Sequence, residues 1–513
     1  RRVDVNLDAM LSYKKRFGEF DLDAMLGVSL FNYQRNYLFS TTEGGLQQPD
    51  LYNLSNSQNT PSTTSKIERR RMAGAYGSVT LGYRDAFYLS FTGRNDWSST
   101  LNKNNRSFFY PSVAFSALIT EAVKLPKAVS FWKVRASWAK VGFDQSTVYM
   151  LQDTYSFNTY WDGNAAFTPP TTIIDPNIKP YFTSSFEVGT DLRFFGSLRF
   201  DFSYYRTYDE GQIQKVDINQ SSGYEEMLTN GNDYRREGYE LMVGATPIKT
   251  KDWKWDISFN WFQTRKYLDK IYNGAYNYNN LKVGDRADAL YESVWQRDPQ
   301  GNFIVFENNG RPIEDPFKRV IGYAGADWEF GISSTLRYRN WSLSFDIAGR
   351  VGGVIRSDLN ARMIEAGTHK LTAAPERELD WTKTPSYIPS NAVVVVDGDI
   401  EYDDHGNVLY DTRGYAPSTT PVYFKSWIGY MGKLNGPYNL FKGDFIKLRT
   451  MSVGYDFSDL LSGSRIFKGL ELSVIGTNLL IWKKLDNEDP DAAYKNFSYP
   501  TERMIGFNLT LKL

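Results

Sequence analysis

The chain has 513 residues, with 59 Lys and Arg against 59 Asp and Glu, no Cys, two His and 16% aromatic residues. The missing Cys excludes disulfides, thiolate nucleophiles and thiolate metal sites, and two His cannot build a multi-His metal site. Zero net charge lacks the basic footprint that neutralises phosphates, so nucleic acid is not expected as a partner. No run approaches the ~18 consecutive apolar residues of a membrane-spanning helix.

Alternation of apolar and polar residues is the dominant pattern along the chain. Runs of this kind begin at Val3, Phe20, Phe186 and Trp341. A further run at the end of the chain places large apolar side chains at Ile505, Phe507, Leu509, Leu511 and Leu513. A period of two puts all the apolar groups of a strand on one face. Each run is about 9 to 11 residues long, the length of a tilted strand that crosses a bilayer.

The alternating segments predict about 15 strands. They cover residues 3–14, 19–30, 73–83, 87–94, 107–118, 131–142, 184–195, 197–207, 234–247, 253–265, 328–338, 341–350, 444–457, 470–480 and 501–513. Helical periodicity is scarce, and residues 359–366 are the best short candidate.

Connections between the predicted strands alternate in length. Short turns are followed by long segments rich in Asn, Asp, Gly, Pro, Ser, Thr and Tyr, near 31–72, 143–183, 208–233, 266–327 and 351–443. Short turns at one end and long loops at the other are typical of an outer-membrane barrel, whose loops are extracellular. We therefore predict an all-β fold, an antiparallel transmembrane β-barrel over 1–513. A large soluble β-sandwich or propeller array is the alternative, which strand length and loop asymmetry disfavour.

This topology places Arg1 on the extracellular side and Leu513 in the periplasm. Single-chain bacterial barrels have even strand counts. We therefore expect the chain to be the C-terminal part of a larger barrel, with an odd number of strands preceding it.

Short motifs follow one another from about Ala73 to Leu513. They are Arg94-Asn95-Asp96-Trp97-Ser98-Ser99, Asn105-Arg106, Tyr110-Pro111-Ser112, Val134-Arg135-Ala136-Ser137-Trp138, Asp175-Pro176-Asn177-Ile178-Lys179, Gly189-Thr190-Asp191, Tyr204-Tyr205, Glu237-Gly238-Tyr239-Glu240-Leu241, Val320-Ile321-Gly322-Tyr323, Phe330-Gly331, Phe445-Ile446-Lys447-Leu448-Arg449, Gly454-Tyr455, Gly476-Thr477-Asn478-Leu479, Asp489-Pro490 and Tyr499-Pro500. In this order they resemble the barrel of SusC/RagA-type TonB-dependent transporters of Bacteroidota outer membranes.

The resemblance implies a barrel of about 22 strands plugged by an N-terminal domain. It also implies energisation through a TonB-ExbB-ExbD complex and a SusD-like surface lipoprotein as partner. Neither the plug domain nor a TonB box is in this sequence. The function it predicts is active import of oligosaccharides, or of peptides, across the outer membrane. The alternatives are a passive porin and a structural or secretion-complex barrel.

No catalytic residue, metal site or cofactor is predicted. The sequence has no nucleophile elbow, no phosphate-binding glycine loop and no zinc-spaced His pair, so we do not expect an enzyme. Carboxylates between Asp397 and Asn407 are oxygen ligands of the kind that calcium prefers, but their spacing fits no EF-hand; a solvated acidic loop is favoured. Lys66 and the run Arg69–Arg71 are interpreted as solvated or facing lipid headgroups.

Aromatic residues among polar ones in the long loops are the predicted ligand contacts. Rings beside amides and carboxylates suit sugars or peptides. Packing within the loops is the competing interpretation for such aromatics. The predicted substrate-binding residues are Tyr155, Tyr160, Trp161, Asp162, Tyr276 and Tyr278.

Overall fold

A computed structural model describes residues 1–144, 147–433, 439–461, 463, 466–492 and 499–512. The chain divides into two compact units. The first unit comprises Arg1–Arg193, Ser203–Glu237 and Leu268–Tyr276, and the second comprises Phe194–Phe202, Gly238–Tyr267 and Asn277–Leu513. Within the described residues, no helix is both long and apolar enough to cross a membrane.

Strands make up most of the chain. The first group is β1 (Arg2–Phe17), β2 (Phe20–Leu46), β3 (Ser57–Tyr83), β4 (Phe87–Ser98), β5 (Ser107–Leu118), β6 (Val129–Phe143), β7 (Ser156–Trp161), β8 (Asn164–Thr168), β9 (Thr172–Ile174) and β10 (Tyr181–Phe194). The second is β11 (Leu198–Glu210), β12 (Ile213–Asp217), β13 (Glu226–Asn230), β14 (Asp233–Lys249), β15 (Trp253–Lys270), β16 (Ala289–Glu292), β17 (Phe303–Ile304), β18 (Arg319–Tyr323), β19 (Trp328–Tyr338) and β20 (Trp341–Val351). The third is β21 (Val354–Arg356), β22 (Ala392–Asp397), β23 (Ile400–Tyr402), β24 (Val408–Asp411), β25 (Gly414–Pro417), β26 (Leu440–Lys442), β27 (Phe445–Asp456), β28 (Gly469–Lys483) and β29 (Met504–Lys512).

Helices are few and short. The α-helices in the described residues are α1 (Ile119–Ala122), α2 (Asp358–Ala366) and α3 (Phe424–Met431). Helix α2 lies where residues 359–366 predicted one. Ser357 caps its N-terminus by accepting from the Asn360 backbone N–H, and Gly367 ends it in the left-handed region, as N-caps and C-terminal glycines do.

Among the described residues, fifteen strands form one antiparallel sheet in the order β1-β2-β3-β4-β5-β6-β10-β11-β14-β15-β19-β20-β27-β28-β29. Each corresponds to one of the predicted strands, so the predicted fold class and strand set are confirmed. Leu513, the last residue of the final predicted strand, lies outside the described residues.

The sheet strands of the second unit have one apolar and one polar face. Between β19 and β20, Phe345 pairs with Ser334 and Leu343 with Leu336, while Ser344 pairs with Thr335. The next strand, β27, continues the division. On the Phe345 face lie the exposed Met451 and Val453. The predicted alternation of Leu343, Phe345 and Ile347 against Ser344 and Asp346 is therefore present in the observed register.

The first unit repeats this arrangement. Leu26, Val28 and Leu30 of β2 are exposed on one face, and Phe91 and Trp97 of β4 are exposed on the same face. Soluble proteins rarely expose such a contiguous apolar surface. The residues between them in sequence, such as Ser29 and Asp96, lie on the opposite face.

The predicted loop at 31–72 is wrong for most of its length. Strands β2 and β3 remain paired from Phe20↔Tyr83 to Leu46↔Ser57, so the connection is only residues 47–56. This outer part of the hairpin is rich in Ser and Thr and is mostly exposed. A strand that buries neither face needs no apolar alternation, which is why periodicity missed it.

The other long connections contain ordered structure of their own. Residues 143–183 include the hairpin β7–β8, 266–327 include β16, β17 and β18, and 351–443 include α2, α3 and six short strands; residues 145–146 and 434–438 lie outside the described part. A small apolar core holds the connections of the second unit together. Its buried members are Trp295, Phe303, Val305, Ala392, Val422, Trp427 and Met431. These segments therefore contain strands and helices of their own rather than being open loops.

The two-faced register generates a stability prediction. If the apolar face contacts lipid, Phe345→Arg should lower the free energy of unfolding by about 2 to 4 kcal/mol near the bilayer midplane, whereas Ser344→Arg on the polar face should cost much less. Unfolding titrations in lipid bilayers measure both. Equal destabilisation of the two variants would reject the assignment of faces.

Candidate functional site

Asp144 is the centre of a polar cluster in the first unit. Arg70 contacts both of its carboxylate oxygens, at 2.7 and 2.9 Å. Thr100 donates to it at 2.9 Å, and the Ser98 hydroxyl also donates. Ser98 and Thr100 are buried. The carboxylate is thus satisfied from three sides, and it joins β3 and the end of β4 to the segment after β6.

Arg94 and Asp96 of the same motif form a second polar group on β4. The Arg94 guanidinium lies 2.8 Å from Asp96 and donates to Ser29 on β2 at 2.9 Å. Asp96 also accepts from the Tyr110 hydroxyl on β5. Charges this buried need partners of opposite sign and full hydrogen bonding. These side chains of β2, β4 and β5 therefore satisfy one another across the sheet.

Two motif blocks that are distant in sequence meet in the first unit. The Asn105 amide donates to the carbonyl oxygens of Asn177 and Ile178, at 3.2 and 3.0 Å. Ile178 is fully buried, in a cluster with Leu101, Phe108 and Leu228. The collinear motifs thus tie the β4–β5 connection to the segment that precedes β10.

Lys447 is the most deeply buried charge of the second unit, with 2% of its side chain exposed. Its ammonium lies 3.0 Å from Asp489, 3.3 Å from Asp491 and 2.6 Å from the Thr501 hydroxyl. Arg449 adds a 2.9 Å ion pair with Asp491. Burial opposes ionisation of Asp489, but hydrogen bonds from Thr501 and Lys447 outweigh it and lower the pKa of this carboxyl. The network anchors the connection between β28 and β29 to β27.

Of the predicted ligand contacts, Tyr160, Trp161 and Asp162 are brought together on the β7–β8 hairpin. Tyr160 is 70% exposed and Trp161 is 78% exposed, and Tyr155 is exposed just before β7. Asp162 and Gly163 both have positive φ, 48° and 76°, as the Asp-Gly of a tight hairpin turn requires. The turn itself accounts for Asp162, and the two rings remain mostly exposed although Tyr160 packs edge-on against Phe157, with ring centroids 5.3 Å apart.

Tyr276 and Tyr278 belong to different units. Tyr276, exposed, ends the last segment of the first unit, and Tyr278 lies in the second. The Tyr278 backbone N–H and C=O both pair with Leu281 at 2.9 Å, which closes a local turn.

A polar cleft of about 400 Å³ in the second unit was missed by sequence reasoning. Arg286 lines it, and its guanidinium contacts both oxygens of Asp288, at 3.0 and 2.8 Å. The guanidinium carbon lies 4.1 Å from the centre of the Tyr323 ring. Arg265, Tyr267 and Asp327 complete this wall. Tyr323 is the last residue of a sequence motif, which was the one signal that could have indicated this cleft. Arg286 belongs to none of the motifs.

The acidic run is organised by its own turns. Asp403 accepts from the Asn407 amide at 2.7 Å and from the His405 and Asn407 backbone N–H groups, both at 2.8 Å. These bonds, chiefly that from the Asn407 side chain, lower the pKa of Asp403. In the part of the chain that the structure describes, no three acidic or His side chains converge to hold a metal ion.

Comparison with known proteins identifies relatives of the whole chain. A family model described as TonB dependent receptor-like, beta-barrel matches residues 3–394. TonB-dependent receptor P3 of Formosa agariphila is 22% identical, over 98% of this chain and 51% of its own length. TonB-dependent receptor SusC of Bacteroides thetaiotaomicron is 21% identical, over 100% of this chain and 50% of its own. The chain thus spans about half the length of these curated relatives.

Solved structures show the same fold. The structure of the RagAB peptide transporter matches 99% of this chain and 55% of its own, with a TM-score of 0.77 at 17% identity. A RagAB peptide importer in an open-open state matches with a TM-score of 0.74. The resemblance to SusC/RagA-type proteins inferred from the motifs is confirmed.

The Lys447 network generates a second prediction. Lys447→Ala should lower the free energy of unfolding by about 3 to 5 kcal/mol, because it leaves the nearly buried Asp489 without its cation and Asp491 with Arg449 alone. Lys254→Ala is the matched control, since its 2.8 Å pair with Asp256 is exposed and such pairs contribute about 1 kcal/mol or less. Denaturant titration of both variants measures the difference. The combined change Lys447→Met, Asp489→Asn and Asp491→Asn should recover most of the loss; a loss as small as that of the control would contradict the network's role.

Proposed function

The chain belongs to the TonB dependent receptor-like β-barrel family, and from this membership we propose that it forms part of the wall of an outer-membrane transporter. The transporter imports polar oligomers, oligosaccharides or peptides, by TonB-dependent active transport. The chain is a multi-pass β-structure of the cell outer membrane in this proposal, with outer-membrane lipid against its apolar face.

The observation that supports membrane placement is the division of sheet strands in each unit, such as β2 and β4 in the first and β20 and β27 in the second, into two faces. One face exposes Val28, Leu30, Phe91 and Val453. The other carries partnered polar groups such as Asp96. Lipid favours the first and an aqueous interior the second. A water-soluble protein would leave the first face exposed at a cost of roughly 25 cal/mol for each Å².

Ligand contact is assigned to the β7–β8 hairpin and to the polar cleft around Arg286. Exposed Tyr and Trp rings can stack on sugar rings or on peptide side chains. The Arg286 guanidinium and its carboxylate neighbours can hydrogen-bond to hydroxyl or amide groups. An oligomer has several units, and these can bind to separate contact surfaces of this kind.

Partners follow from the relatives and are proposals here. The named relatives are TonB-dependent receptors and a peptide transporter. We infer energisation through a TonB-ExbB-ExbD complex, which the remaining part of the gene product would contact. A SusD-like surface lipoprotein would deliver ligand at the side of the long connections.

Uptake by whole cells separates the proposal from its alternatives. Cells that express the complete gene product should accumulate labelled oligosaccharide or peptide, and deletion of TonB should abolish this. A passive porin would keep its uptake without TonB. A structural or secretion-complex barrel would leave uptake unchanged when the gene itself is deleted.

The hairpin aromatics generate a third prediction. Tyr160→Ala with Trp161→Ala should weaken binding of a transported oligomer by about 1 kcal/mol per ring, without changing the amount of folded protein. Calorimetry on the complete gene product with candidate oligosaccharides and peptides measures it. Phe195→Ala, at an exposed aromatic in the short β10–β11 turn, is the control and should bind normally. Unchanged affinity in the double variant, for every ligand that binds, would remove these residues from the site.

A further inference from the structure

The run Arg69–Arg70–Arg71 on β3 is split between the two faces of the sheet. Arg70 points to the polar face, where Asp144 binds it bidentately. Arg69 and Arg71 fall on the opposite face, as strand alternation requires. Within the described part of the chain, neither of these two guanidinium groups lies in an ion pair.

Arg69 and Arg71 line a cleft of about 600 Å³ together with Arg106, which is also exposed and in no ion pair among the described residues. The other described lining residues include Arg70, whose charge is paired with Asp144, and the polar side chains of Asn32, Ser99 and Tyr149, but no carboxylate lines the cleft itself. The chain as a whole balances 59 basic against 59 acidic residues. A carboxylate-free cleft with several arginines is therefore a local concentration of positive charge.

The backbone around the cleft is held in place. The Arg71 N–H donates to the Ser99 hydroxyl at 2.9 Å, and the Arg69 N–H donates to the Tyr149 hydroxyl at 3.1 Å. Both bonds cap the edge of β3 beyond the point where its pairing with β4 ends. The arginine side chains are thus presented from a fixed strand.

The cleft lies directly beyond the apolar face. In the register, Leu30, Ala73 and Trp97 form one row across β2, β3 and β4. Asn32 and Arg71 form the next row on the same face, and Gln34 and Arg69 the one after. Successive rows are roughly 7 Å apart, two residues along a strand. An apolar band, then Trp, then Arg is the sequence of environments met on leaving hydrocarbon for the headgroup layer.

We propose that Arg69, Arg71 and Arg106 bind a phosphate group carried by a lipid headgroup of the outer leaflet. Guanidinium groups bind phosphate oxygens bidentately, and the adjoining apolar face would receive the acyl chains of the same molecule. The lipid source is favoured over free phosphate because Arg69 and Arg71 lie on the apolar side of the sheet. The proposal rests on the membrane placement proposed above but not on transport.

The test uses the complete gene product in nanodiscs, titrated with diphosphorylated lipid A and with its dephosphorylated form. The native protein should bind the phosphorylated lipid more tightly than the dephosphorylated one. The double variant Arg69→Gln, Arg71→Gln should bind the phosphorylated lipid about 25-fold more weakly than the native protein does. This figure assumes that each basic residue near an anionic surface raises the affinity roughly fivefold. Lys124→Gln with Lys127→Gln, two exposed charges after α1, is the charge-matched control and should retain the preference.

Three outcomes overturn the proposal. These are equal affinity of the native protein for the two lipids, equal loss in the arginine and lysine variants, and competition by millimolar inorganic phosphate without any preference among lipids, which would assign the cleft to a soluble anion. Heat-modifiable gel mobility confirms that each variant is folded.

A protein that discriminates the lipids but does not import would overturn the proposed function and keep this site. TonB-dependent uptake without lipid discrimination would overturn this site and keep the proposed function.

Discussion

Strand register is the constraint on which the rest of the structure depends. Side chains alternate with a period of two, so a slip of one residue would exchange the faces of an entire strand. In β20 such a slip would bring Ser344 and Asp346 to the face that now holds Phe345. Because lipid offers no hydrogen-bond partners, polar groups moved there would be unsatisfied at a cost of several kcal/mol each. The apolar face and the polar face therefore specify each other.

A bulge adjusts this register near Lys447. Pairing of β27 with β20 jumps from Leu448↔Ile347 to Thr450↔Asp346, which leaves Arg449 as an extra residue. Before the bulge the odd-numbered Lys447 lies on the polar face, and after it the even-numbered Ser452 does. Without the extra residue, Lys447 would share a face with Met451 and Val453. The bulge thus lets a buried cation and an apolar stripe occupy one strand, a common use of bulges to redirect a side chain.

Sequence reasoning succeeded where one rule determines the structure. All fifteen sheet strands and α2 were predictable, because an element with one apolar face repeats its apolar residues with a fixed period along the sequence. The outer part of β2 and β3 was not, since it buries neither face. Lys447 and Asp489 were recognised as motif residues, but their contact joins positions 42 apart through a bulge, and no local pattern encodes it. The hairpin aromatics are exposed, and their role as ligand contacts stays a prediction, while the cleft around Arg286 depends on contacts between separate short strands.

The motif residues and the exposed aromatic residues have different physical roles. Arg94 pairs with Asp96 and Lys447 pairs with Asp489, and three of these four side chains are less than 10% exposed, so little of their hydrogen-bonding capacity remains for a ligand. Tyr160 and Trp161 end β7 just before a two-residue turn, and both rings are mostly exposed. Replacing them changes what the surface can bind, at little cost to the sheet. A sheet whose polar residues are satisfied internally can keep its structure while the connections between its strands vary, which is why resemblance in the sheet identifies the family without identifying the substrate.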